Sequence, residues 1–261
     1  MNIIVCIKQV PDTNEVRIDQ EKGTLIRKGV PSIINPEDRN GLEEAIRIKE
    51  KNGAKITVIS MGPSQAKVAL REALAMGADE AILISDRAFA GSDTLATAYT
   101  LSQVIKEIGS YDLVFCGRQA IDGDTAQVGP QIAENLGIAQ LTYVSELELS
   151  GEKVTAKRLL EDGYSKIESK LPLLVTVVAD INQPRYPSIR GIVDAHRKLT
   201  VTEWSVSDFT VDDERLGLHG SPTKVFKTFV PTHEKQGEIL EGSPSEIVAK
   251  LSEKLKLEHI I

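Results

Sequence analysis

The chain has 261 residues, 41% of them hydrophobic and 26% charged, with a formal net charge of −7 at pH 7. That composition is ordinary for a soluble globular protein and leaves room for one large domain with an appendage. The acidic balance, with no basic stripe carrying interleaved aromatics, excludes a general nucleic-acid binder, and no apolar run of about 18 residues marks a membrane span.

The first apolar run, Ile3-Ile4-Val5-Cys6-Ile7, reads as a buried parallel strand. No charged leader with a cleavage site precedes it, so no secretory signal is read and a cytoplasmic protein is expected. Cys6 and Cys116 are the two cysteines, each on or just after an apolar strand, and are expected as reduced, buried thiols. With four scattered histidines beside them, no metal site is expected. Lys8 and Gln9 end the first strand, and Lys8 fits either a site cation or a solvated lysine. A polar, hairpin-like stretch follows at residues 16–27. Asn35-Pro36-Glu37-Asp38 then caps a helix with apolar Leu42, Ala45, Ile46 and Ile48, and its place opposite the end of the first strand also fits contact with an adenosine.

Strands at 56–59, 80–84 and 113–115 alternate with helices at 65–76, 94–108 and 127–135. Alternation at that spacing implies right-handed βαβ units and a parallel sheet covered on both faces, with ligands at the carboxyl ends of the strands. Polar turns stand at those ends, at 60–63, 86–94 and 117–127. The last, Gly117-Arg118-Gln119-Ala120-Ile121-Asp122-Gly123-Asp124-Thr125-Ala126-Gln127-Val128, runs from strand to helix and suits a phosphate cradle. It is neither G-x-G-x-x-G nor a Walker loop. On spacing alone Asp122, Asp124, Thr125 and Gln127 fit turn and cap roles equally well. The turn Asp86-Arg87-Ala88-Phe89-Ala90-Gly91-Ser92-Asp93-Thr94 has two readings as well: Ser92 or Asp93 as a helix N-cap, or a helix N-terminus facing a second phosphate or a flavin ring, with Arg87 supplying positive charge.

Beyond Val144 the pattern becomes alternating. A turn at 150–152 joins two runs, 164–169 forms a further short strand, and 173–178 is a deep core strand, so hairpins are expected on the same sheet. Residues 179–232 are loop-rich and read as an arm over a partner, and a periodic helix occupies 243–261 with Pro244 near its start. The expected architecture is α/β: a doubly wound, mostly parallel sheet of adenine-nucleotide-binding type, with an added antiparallel hairpin and a C-terminal arm. Residues 1–180 would be the nucleotide-binding domain, and 181–261 the arm packing on a partner subunit. No nucleophile–base pair stands out, which points to a cofactor as the carrier of the chemistry.

Taken together, Val5–Asp12, Asn35-Pro36, Ser60-Met61-Gly62-Pro63, Ala73–Asp79, Gly117–Gly129, Arg158–Gly163, Leu171–Thr176 and Pro184–Ile189 closely resemble the beta subunit of electron-transferring flavoproteins, over nearly the full length. One departure is Ser165, where the family's signature carries Glu or Gln two residues before Ile167. The resemblance implies an obligate heterodimer with an alpha subunit that holds one FAD. It implies an adenine-nucleotide site in this chain, holding AMP in the ordinary form and a second FAD in the electron-bifurcating form. In the latter, FAD takes hydride from NADH and splits the pair between a low-potential acceptor, ferredoxin or flavodoxin, and the alpha-subunit FAD, which serves an acyl-CoA dehydrogenase-like flavoenzyme. The turn from Asp86 to Thr97 and the segment Gly123–Gly129 resemble the bifurcating form.

Carried over by position, the resemblance places Cys6, Asn35, Asp38 and Met61 at the adenosine end. It places Asp122, Gly123, Asp124, Thr125, Ala126, Gln127 and Val128 at ribose and pyrophosphate, next to Gly117, Arg118, Gln119 and Ala120. It places Arg87, Phe89, Gly91, Asp93 and Thr94 at the flavin ring and nicotinamide. Residues 184–190 match a loop that docks a dehydrogenase, with Arg185, Tyr186 and Arg190 around Ile189 at its tip. Two other readings stand beside this one: a binding module with structural AMP and no redox centre, and an unrelated ATP-binding α/β protein. The second lacks a Gly-rich loop after the first strand.

Overall fold

The computed structural model describes residues 1–12, 31–226 and 237–261. The hairpin-like stretch expected at 16–27 lies outside them. Two compact units divide the chain, Met1–Phe226 and Lys227–Ile261.

The first unit begins with β1 (Asn2–Cys6), a short ribbon β2 (Gln9–Pro11) and β3 (Ser32–Ile34), and α1 (Pro36–Asn52). It continues with β4 (Lys55–Met61), α2 (Lys67–Met76), β5 (Glu80–Ile84), α3 (Thr94–Ile108), β6 (Leu113–Gly117) and α4 (Val128–Leu136). A long β7 (Ala139–Ser150), β8 (Lys153–Leu160), β9 (Gly163–Lys170), β10 (Leu173–Val177), α5 (Ile189–Arg197) and β11 (Val201–Trp204) complete it. The second unit carries α6 (Pro244–Leu257), begun by a capping box in which Ser243 and Glu246 satisfy each other's backbone N–H.

The strands form one nine-stranded sheet in the order β11-β5-β4-β1-β6-β10-β7-β8-β9. All neighbours are parallel except β7–β8 and β8–β9. The doubly wound, mostly parallel sheet and its added hairpins are as expected. The parallel strands are apolar runs because both faces are covered: α1, α2 and α5 pack with one buried cluster, α3 and α4 with the other. The outer hairpin strand β9 alternates exposed and half-buried residues, the pattern of a strand covered on one side only.

Residues 179–226 depart from the expected loop-rich arm. They contribute α5, which seats on α2, and β11, which extends the sheet beside β5. Gly191 permits the first contact, since a Cβ there would crowd the Ala75 carbonyl. The stretch that follows folds back on α3. The Tyr99 hydroxyl accepts the Asp212 N–H at 2.8 Å, and the Arg215 guanidinium lies 3.8 Å from the Tyr99 ring centroid. The expected boundary at residue 180 therefore falls inside the first unit. Among the described residues, no helix is long and apolar enough to cross a membrane.

Candidate functional site

β1 is followed by β4 and β5 on one side, and the chain then crosses to β6 on the other. The strand order reverses between β1 and β6, and at such a point the loops leaving the carboxyl ends diverge and open a crevice. A cleft of about 390 Å³ lies there. Of the residues expected at a cofactor, Cys6, Asp38, Met61, Asp93, Thr94, Gly117, Arg118, Gln119, Ala120, Gly123, Thr125, Ala126, Gln127 and Val128 line it. Asn35, Arg87, Phe89, Gly91, Asp122 and Asp124 do not.

The first turn of α1 anchors the loop after β6 from beneath. Asn35 sits at the N-cap position, but its side chain does not cap the helix. Instead its Nδ2 donates to the Gln119 carbonyl at 2.8 Å, and its Oδ1 accepts the Ile121 N–H at 3.0 Å. Glu37 accepts the Gln119 N–H at 3.1 Å and pairs with Arg118 at 3.1 Å. Buried Asp38 accepts the N–H of Lys8 at 2.8 Å and of Gly117 at 2.9 Å, so one carboxylate pins the ends of both central strands. Burial pushes this carboxyl up to about 7, against the two N–H bonds and Asn35, which favour its charged form. Asn35 and Asp38, expected against adenosine, thus both bond to the protein's own backbone, and of the two only Asp38 lines the cleft.

The loop above this anchor bends through left-handed residues, Asp124 at φ 53° and Ala126 at φ 54°. Among the described residues, the N–H groups of Thr125, Ala126 and Gln127 make no hydrogen bond. They lead directly into the N-terminus of α4, whose positive end and free first-turn N–H groups favour an anion. Gly129 lets α4 start this close to the sheet, since a Cβ there would stand 2.5 Å from Thr176 Cγ2. The Arg118 Nε is buried without a partner. Unpaired N–H groups, a helix N-terminus and an orphaned guanidinium N–H together form a donor-rich wall that fits a phosphate-bearing ligand. Asp122 does not line the cleft; it pairs at 2.8 Å with the half-exposed Lys8, which does.

The second turn is organised differently. Asp93 is the N-cap of α3, accepting from Leu95 at 3.0 Å and Ala96 at 3.1 Å, and its other oxygen accepts from Thr223. These bonds hold its carboxyl below the usual range, despite some desolvation. A carboxylate therefore occupies the α3 N-terminus, which weakens the reading of a second phosphate there. Phe89 is buried and stacked on Phe209 with centroids 6.1 Å apart, so it packs in the buried cluster on the α3–α4 face. Gly91 has φ 75° and faces Leu218, and Arg87 is exposed. The two turns meet where Thr94 Oγ1 donates to Gln127 Oε1 at 3.0 Å.

In the expected docking loop, Tyr186, Ile189 and Arg190 are exposed. Arg185 is not free for a partner: its guanidinium binds Glu43 and Glu50 on α1, and its N–H also reaches Glu43. The Arg185 bonds, with Arg47 beside them, hold the Glu43 carboxyl below its usual range although burial opposes this. Arg185→Ala should cost about 1–3 kcal/mol at neutral pH, discounted for the partly exposed arginine and the remaining Arg47. A depressed carboxyl contributes stability above its unfolded pKa and loses it as pH falls, so the gap between variant and parent should narrow below pH 4. Urea midpoints at pH 7 and pH 3.5 measure both.

Sequence reasoning missed Tyr143, Thr176, Ser221 and Thr223. Tyr143 has φ 58° at a register shift of β7, and its ring lies 5.9 Å beneath the Arg118 guanidinium. Ser221 and Thr223 tie the loop after β11 to Asp93. Nothing local to these residues announces such roles.

Compared with known proteins, residues 22–209 match the electron transfer flavoprotein domain. The chain is 62% identical to the electron transfer flavoprotein subunit beta of Thermoanaerobacterium thermosaccharolyticum, with all of both chains covered. It is 52% identical to the caffeyl-CoA reductase-Etf complex subunit CarD of Acetobacterium woodii and 45% identical to the acryloyl-CoA reductase electron transfer subunit gamma of Anaerotignum propionicum, again over the whole of each chain.

Proposed function

Since the chain belongs to the electron transfer flavoprotein family, as a beta subunit acting in electron transfer, we propose that its cleft holds FAD and takes part in electron bifurcation. The observation that carries this reading is the meeting of both polar turns in one cleft at the switch point between β1 and β6. In this reading Cys6 and Met61 line the adenosine end. The N–H groups of residues 125–127 and the start of α4 bind the pyrophosphate, with Arg118 and Lys8 as the nearby cations. The Asp93 carboxylate keeps phosphate away from α3, which leaves Thr94 and Thr97 to face the ring. When bound, FAD supplies two-electron uptake from NADH and one-electron release.

The proposed partners are an alpha subunit with its own FAD, an acyl-CoA dehydrogenase-like flavoenzyme, and a low-potential carrier of the ferredoxin or flavodoxin class. The names of the caffeyl-CoA and acryloyl-CoA reductase relatives support a flavoenzyme of that kind. Exposed Tyr186, Ile189 and Arg190 are proposed as its docking tip.

A second reading, AMP as a structural ligand, is favoured by one observation: Arg87, Phe89 and Gly91, expected at the ring, stand away from the cleft wall. Cofactor analysis of the purified heterodimer separates the two. FAD bifurcation requires two FAD per heterodimer, whereas one FAD with one AMP would sink it.

A further inference from the structure

Two thiols line the cleft, and the proposed function gives neither of them any chemistry to perform. Val5 and Phe115 are register partners on β1 and β6, so Cys6 and Cys116 come next in the same ladder. Both belong to the buried cluster on the α3–α4 face, so their side chains leave the sheet on the same side. They are 8% and 6% exposed, are free thiols, and both line the cleft. Neighbouring strands run about 4.8 Å apart, within the range of Cα separations that a disulfide bridges.

We infer that Cys6 and Cys116 form a vicinal dithiol which peroxide-class oxidants reach through the cleft and close to an internal disulfide, and which a bound nucleotide shields. In the first step one sulfur attacks a peroxide oxygen; the O–O bond breaks, and a sulfenic acid and water form. In the second step the other sulfur attacks the sulfenic sulfur; the S–O bond breaks, the S–S bond forms and a second water leaves. Two electrons pass from the sulfurs to the peroxide, and both thiol protons end in water. The contact with Cys6, together with burial, holds the Cys116 thiol protonated at neutral pH, so closure is slow and peroxide is supplied in excess.

The shielding half of this inference rests on the nucleotide reading of the cleft; the closing half does not. The test uses the full chain co-produced with its partner subunit, stripped of nucleotide, treated with hydrogen peroxide and mapped as non-reduced peptides. The expected product is a Cys6–Cys116 cross-linked pair lacking two hydrogens, abolished by Cys6→Ser. Added AMP or FAD at about 100 times its Kd leaves roughly 1% of clefts open and should slow closure roughly 100-fold. Oxidation of either cysteine to a sulfinic acid with no bridge overturns the dithiol. A bridge that forms at an unchanged rate, while dialysis shows nucleotide bound, overturns access through the cleft. If dialysis shows that neither nucleotide binds, the nucleotide reading fails and takes the shielding half with it, and the cross-link alone decides the dithiol.

Discussion

Gly117→Val is expected to empty the cleft and destabilise the fold together. A Cβ at this position would stand 2.8 Å from the Asp38 backbone nitrogen and 2.9 Å from the Glu37 carbonyl carbon, and closer still to Asp38 Oδ1. Neither backbone atom can rotate away, so β6 must move from the start of α1. That movement also breaks the Gly117 N–H bond to Asp38. Overpacking and a lost buried hydrogen bond together should cost about 2–5 kcal/mol. In a unit of this size that lowers Tm by roughly 5–15 °C. Thermal melts and nucleotide retention on gel filtration check both effects. Gly123→Val is the control for the stability effect alone, because a Cβ at Gly123 meets no protein atom within 4 Å although the residue lines the cleft. Equal losses of Tm in the two variants would show that the anchor beneath the loop is not what holds it.

Asp38→Asn should change how stability responds to pH. In the folded chain the Asp38 carboxyl titrates at about 7, against 3.8 for an unperturbed aspartate. The native state therefore holds a proton that the unfolded chain releases as pH rises. On this account the parent protein loses stability from about pH 4 to pH 7 and is level above that, by a contribution of about 4 kcal/mol at most. Asparagine carries no charge at any pH, so its contribution to the slope is absent. Its amide nitrogen must, however, face one of the two N–H donors from Lys8 and Gly117, a penalty of about 1–3 kcal/mol. The variant should thus be the weaker protein at pH 4, with the gap closing or reversing by pH 7. The neighbouring Glu37 carboxyl is itself raised by burial, and its charge adds to the rise at Asp38. Urea unfolding across this range tests the prediction, and a gap independent of pH would refute it.

Much of the site was legible because its signals are local. Strand ends, polar turns and helix starts follow one another within a few residues at 113–128, and that order alone singles out the turn that lines much of the cleft. Asp93 was legible as a cap for the same reason. Of Asn35 and Asp38, only Asp38 lines the cleft, and the partners of both side chains were not legible. Those partners are backbone groups far off in the chain, at Lys8 and at Gly117, Gln119 and Ile121. The ninth strand, β11, was missed because four residues in a proline-rich region, Val201–Trp204, carry too little periodicity to read as a strand without β5 beside them.

Residue periodicity by itself determined the alternation of strand and helix, the burial of the parallel strands, and the end of the sheet at which a ligand would bind. Side-chain spacing encodes these directly, because each depends on which faces of one element meet water. Tertiary structure alone decided that β6 lies beside β1, which opens the cleft, and that Asp38 joins the two strand ends. It also put Phe89 and Gly91 away from the cleft wall and Cys6 next to Cys116. Strand order and cross-strand register arise from contacts between segments far apart in the chain, and no local pattern specifies them.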